Sequence, residues 1–63
     1  MRLLLDDPAY TERLAAFLRS VGQRPVRSGP VALDVAEADA AELEVYLRVW
    51  FVLYPDATVR LVN

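Results

Sequence analysis

The sequence predicts an α+β domain in which two helices cover one face of a four-stranded antiparallel sheet, in the order β-α-β-β-α-β. Three observations carry this reading. A short apolar run, Arg2 to Leu5, stops at Asp-Asp-Pro and gives way to apolar residues at helical spacing. Two extended pieces then flank the turn signal Ser28-Gly29-Pro30. A stretch rich in alanine and acids leads into a long apolar segment that ends at Tyr54-Pro55, before a last alternating run, Thr58 to Val62.

Taken in order, Arg2 to Leu5 reads as a strand, and its unbroken leucines suit a central position with apolar contacts on both faces. Asp7 can accept from free backbone N–H groups as an N-cap, and Pro8 at the first helical position has the required φ and no donor to lose. Tyr10, Leu14, Phe17, Leu18 and Val21 then share one stripe of a helix from Pro8 to Val21, which Gly22 closes in the left-handed region. The next strands are Arg24 to Arg27 and Val31 to Val35. Pro25 cannot donate to a ladder, which sends the first of them to a sheet edge, and Val31, Leu33 and Val35 share one face of the second. The second helix starts at Ala36, where alanine favours the helix and acids favour its positive end, and stops before Pro55. Val59 and Leu61 face the same way on the last strand.

This order resembles the ferredoxin-like superfold, which implies that the first and third strands are central and that the second and fourth lie at the edges. The superfold hosts many activities and brings none with it. Its heavy-metal-binding members carry a Cys-x-x-Cys pair at the end of the first strand, where this chain has Leu-Leu-Leu-Asp-Asp-Pro. RNA-recognition domains set aromatics on the open sheet face, where this chain would place Arg2, Leu4, Ala32, Asp34, Arg60 and Val62. ACT-type regulatory domains are similar in size and topology, a resemblance that implies a small metabolite held at a dimer interface, but no ligand motif of theirs matches here residue by residue.

The most informative stretch is Val45 to Pro55, in which Arg48 alone is charged. At 100° per residue, Ala40, Leu43, Leu47, Trp50 and Tyr54 form one side of a helix, flanked by Tyr46, Phe51 and Leu53. That side is expected on the sheet. Val45, Val49 and Val52 fall on the far side, where a monomer shows charge to water, and beyond Arg48 no charge covers them. Such a second apolar face points to an interface, for which the candidate residues are Val45, Val49, Val52, Leu53 and Trp50. Two alternatives stay open, a tolerated exposed stripe and a strand built from the β-favouring Val49-Trp50-Phe51-Val52-Leu53-Tyr54. Trp50 has a second reading of its own, as a core residue against the sheet.

Composition narrows the chemistry. At 63 residues the chain is one small domain spanning 1–63, of a size that buries only about 60% of its unfolded surface. Its hydrophobic fraction of 56% exceeds the roughly 45–50% of ordinary chains. Without cysteine there is no disulfide, thiolate metal site or thiol nucleophile, and without histidine the commonest general base and metal ligand are missing. Asp34, Glu37, Asp39, Glu42 and Glu44 match no calcium-loop spacing and read as a solvated helix start. Both glycines serve turns, so there is no phosphate loop. The tyrosines fit core positions with wet hydroxyls.

We therefore expect no catalytic, cofactor or metal residues and no enzyme activity, but a cytoplasmic interaction or structural module that pairs as a homodimer or joins a larger assembly through the far face of its second helix. The alternative is an ACT-like domain binding a metabolite at a dimer interface. No nucleic acid is expected at a net charge of −2, although Arg2, Arg27 and Arg60 on the open sheet would be the residues to contact it. No membrane partner is expected either, because Val49 to Tyr54 is far short of the roughly 20 residues that span a bilayer, and Met1 to Asp7 is too short for a secretory segment.

Overall fold

The strand Arg2–Leu5 (β1) sits at the centre of the architecture in the computed structural model, which describes residues 1–36 and 39–62. Alternation drives its placement: Leu3 and Leu5 are 0% and 7% exposed, while half-buried Leu4 points to the opposite face. A 3-10 turn, Pro8–Tyr10, leads into helix α1, Thr11–Ser20; β2 is Val26–Gly29, β3 Ala32–Asp34, α2 Ala40–Leu53 and β4 Val59–Val62. The sheet is antiparallel throughout, in the order β2-β3-β1-β4. β1 and β3 are thus central, and β2 and β4 form the edges.

Register keeps the two faces apart. Leu3 pairs with Leu33 and Leu61, and Leu5 with Val59, on the side that the helices cover. Arg2 pairs with Asp34 and Val62, and Leu4 with Ala32 and Arg60, on the open side. The covered side meets Leu14, Ala15 and Leu18 of α1 and Leu43, Leu47 and Trp50 of α2 in one core, joined by Val35 and Ala57.

Local chemistry sets the element ends. Asp7, with extended backbone, accepts from Ala9 N at 2.9 Å ahead of Pro8. Gly22 closes α1 at φ +88°, and its N–H donates to Arg19 O while Gln23 N–H donates to Leu18 O, the bond pair of a Schellman cap. The first turn of the expected helix winds as 3-10 rather than α, a common form at helix starts.

Several boundaries differ from expectation: β3 is Ala32–Asp34 rather than Val31 to Val35, β4 starts at Val59 rather than Thr58, and β2 and the start of α2 move further. The first hairpin strand begins at Val26, after Pro25, and runs on through Ser28 to Gly29, so the turn moves to Pro30 and Val31. A register shift between Arg27 and Gly29 passes over Ser28 and pairs Gly29 with Ala32, and Pro25, with no donor, stays out of the ladder. α2 begins at Ala40 rather than Ala36, because Asp39 adopts extended backbone and accepts from Ala41 N at 3.0 Å, whereas alanine offers no cap. The expected start at Glu37 and Ala38 lies outside the described residues. At its far end α2 stops at Leu53, and Tyr54, outside the helical region at φ −133° and ψ 74°, precedes Pro55. Of the segment that could have been a strand, Val49 to Tyr54, the residues Val49 to Leu53 are helical and Tyr54 caps the helix.

A Cβ at Gly22 would meet no atom within 4 Å, so Gly22→Ala isolates backbone strain and should lower unfolding free energy by about 1–2 kcal/mol. Leu43→Ala, which empties a fully buried site, should cost about 2–5 kcal/mol. Urea denaturation of both variants at one protein concentration checks the two values.

Candidate interaction surface

Helix α2 carries more apolar surface than the core accepts. Leu43, Leu47 and Trp50 are 0%, 6% and 0% exposed, and Tyr46 and Tyr54 are half-buried beside them. On the opposite side Val45 is 56% exposed, Val49 50%, Val52 81% and Leu53 59%, and Phe51 at 37% lies on one margin. The spacing of four, then three, residues that joins Val45, Val49 and Val52 keeps them on one stripe along the outer layer of the molecule.

Of the candidate interface residues, the structure brings Val45, Val49, Val52 and Leu53 together at the surface and sets Trp50 apart from them. Trp50 lies at 0% exposure among aromatic rings: Tyr54 lies tilted by 35° at 4.2 Å between centroids, Phe17 sits at 5.9 Å and Tyr10 meets it edge-on at 6.5 Å. Its period along the helix, shared with Leu43 and Leu47, draws it inward. The indole Nε1 is buried with no hydrogen-bond partner among the described residues. Arg13 covers the outer side of this cluster, 5.5 Å above the Tyr10 ring and 5.8 Å above Tyr54. Phe51, read from sequence as a flank of the buried side, is instead part of the exposed surface.

Charge divides the two margins of the stripe. Glu42 is held within its own chain, accepting from Tyr46 Oη at 2.9 Å and from Gln23 Nε2 at 3.1 Å. Hydrogen bonding to that carboxylate, helped by desolvation, pushes the Tyr46 hydroxyl above its usual range. Glu44 and Arg48, both exposed, belong to neither of the ion pairs found among the described residues.

The open sheet face is less suited to a polyanion than its sequence implies. Arg2 Nε donates to Asp34 Oδ1 at 2.9 Å, and these residues line a shallow depression with Met1, Ala36 and Val62. Arg27, expected on this face, stands opposite Leu33 on the helix-covered side. There it donates to Glu12 Oε1 at 2.8 Å and to the carbonyls of Gly29 and Pro30. The register shift next to Arg27 accompanies this turn towards α1. Of the three arginines, Arg60 alone remains on the open face outside an ion pair among the described residues.

No group of three or more potential metal ligands occurs among the described residues, and Glu37 of the acidic series lies outside them. No helix is long and apolar enough to cross a membrane, again among the described residues.

No family model, curated protein or solved structure matches this chain.

The Arg2–Asp34 pair predicts a pH effect. The hydrogen bond from Arg2 holds the Asp34 carboxyl below its ordinary value. A carboxylate whose folded pKa is depressed adds stability that is complete above the unfolded value, about 3.9, and is lost as pH falls through the folded value. Asp34→Asn should therefore be less stable than wild type at neutral pH, and the gap should close below about pH 4. Thermal melts of both proteins across that range check the sign.

Proposed function

We propose that this protein is a small, non-enzymatic interaction module of ferredoxin-like build that associates, as a homodimer or as a subunit of a larger assembly, through the outer face of α2. In support of the build, the sheet order counted from the β4 edge runs 4-1-3-2, with a helix joining β1 to β2 and another joining β3 to β4. One observation carries the function: Val45, Val49, Val52 and Leu53 are each at least half exposed on a single helical face. An apolar patch of this kind on a small domain marks a place where water is displaced by another surface.

Magnitudes fit an association of modest strength. Fully burying a valine or leucine stabilises by about 1.5–3 kcal/mol, so side chains with half or more of their surface still to lose contribute about 1 kcal/mol each. Eight of them across two copies supply on the order of 8 kcal/mol, within the roughly 4–15 kcal/mol that association costs. The stripe alone is thus marginal, and Phe51, exposed on one margin of α2, adds apolar surface to it.

Val49→Asp places a charge at the middle of the stripe without touching the core. It should abolish self-association in sedimentation velocity while leaving the far-UV circular dichroism of the folded chain intact. A wild-type protein that sediments as a monomer at high concentration would sink the self-associating form of the reading.

A further inference from the structure

The outer face of α2 is complementary to itself, but only in one orientation. With 100° and 1.5 Å per residue, Ala41, Val49 and Val52 lie within about 40° of Val45, while Glu44 and Arg48 lie about 100° and about 60° round on one shared flank. Gln23, which follows α1, bonds to Glu42 on the other flank, so the Glu44–Arg48 margin is turned away from α1 and stays open. Resting on the interaction reading above, we propose that the surface is covered by a second copy of this chain whose α2 runs antiparallel, with Glu44 and Arg48 forming reciprocal ion pairs across the two-fold axis.

The geometry follows from the spacing. A two-fold axis at right angles to α2, passing between Tyr46 and Leu47, sets Ala41 across from the partner's Val52, a small side chain against the most exposed large one at 81%. That axis also lays each flank against the same flank of the other copy. Glu44 then stands within about 1.5 Å in height of the partner's Arg48, and Arg48 stands likewise beside the partner's Glu44. A parallel pairing has the opposite result: the charged flanks fall on opposite margins and no ion pair forms. Opposite charges at the rim of an apolar stripe select orientation and register more than they add affinity.

The test exchanges the charges. Glu44→Arg and Arg48→Glu each turn both contacts repulsive in their own homodimers, and each should weaken self-association about tenfold. An equimolar mixture of the two variants restores both attractive contacts in a heterodimer and should regain wild-type affinity by sedimentation equilibrium. The differences should shrink in 1 M salt, where the screening length is about 3 Å. Both side chains are exposed, and circular dichroism confirms that each variant is folded. A mixture no tighter than the separate variants, or variants that associate like wild type, overturns the antiparallel pairing. If Val49→Asp still abolishes association in that case, the interaction face survives and its orientation does not; a monomeric wild type removes both.

Discussion

One constraint governs this molecule: a two-layer domain of 63 residues has a single interior, and α2 brings apolar residues enough for two. The inner set wins because it can form a continuous core with the sheet. Leu43, Leu47 and Trp50 join Leu3 and Leu33 in that core, and the outer valines stay exposed. A helix apolar nearly all round is stable when surrounded. Here it is covered on one side, and the other side keeps Val45, Val49, Val52 and Leu53 at the surface.

The rest of the structure serves to hold that helix layer on the sheet. Thr11, fully buried at the start of α1, donates to Pro30 O at 2.7 Å and ties the helix to the turn between β2 and β3. Arg27 reaches the same carbonyl and Glu12, so the edge strand, its turn and α1 share one polar cluster. These contacts are partly exposed and individually modest. Their effect is positional: they fix α1, and α1 in turn fixes α2 through the packing of Phe17 and Tyr10 on Trp50.

Much of this was legible in the residues, where the pattern was strong and local. β1 ends where Asp-Pro chemistry ends it, Gly22 takes the left-handed conformation that its position implies, and the alternation of Val31, Leu33 and Val35 predicts the buried face of β3. The hairpin turn lies further along than composition predicts, because Ser-Gly-Pro is turn chemistry and only pairing with Ala32 shows Gly29 to be in the ladder. The start of α2 differs for the converse reason: alanine and acids favour a helix without fixing its first residue, which is decided by the side chain that can cap it, Asp39. Periodicity located the outer stripe, since Val45, Val49 and Val52 share a face by spacing alone. It could not locate Arg27, whose face depends on a register shift that leaves no trace in a single sequence.

The inward set of Trp50 has an experimental corollary. As the chain's sole indole, shut among tyrosine and phenylalanine rings on the side of α2 away from Val52, it is an optical reporter of the interior alone. Its emission follows the opening of the core and stays blind to anything that settles on the valines behind it, so a fluorescence titration without change would be no evidence that the outer surface is vacant.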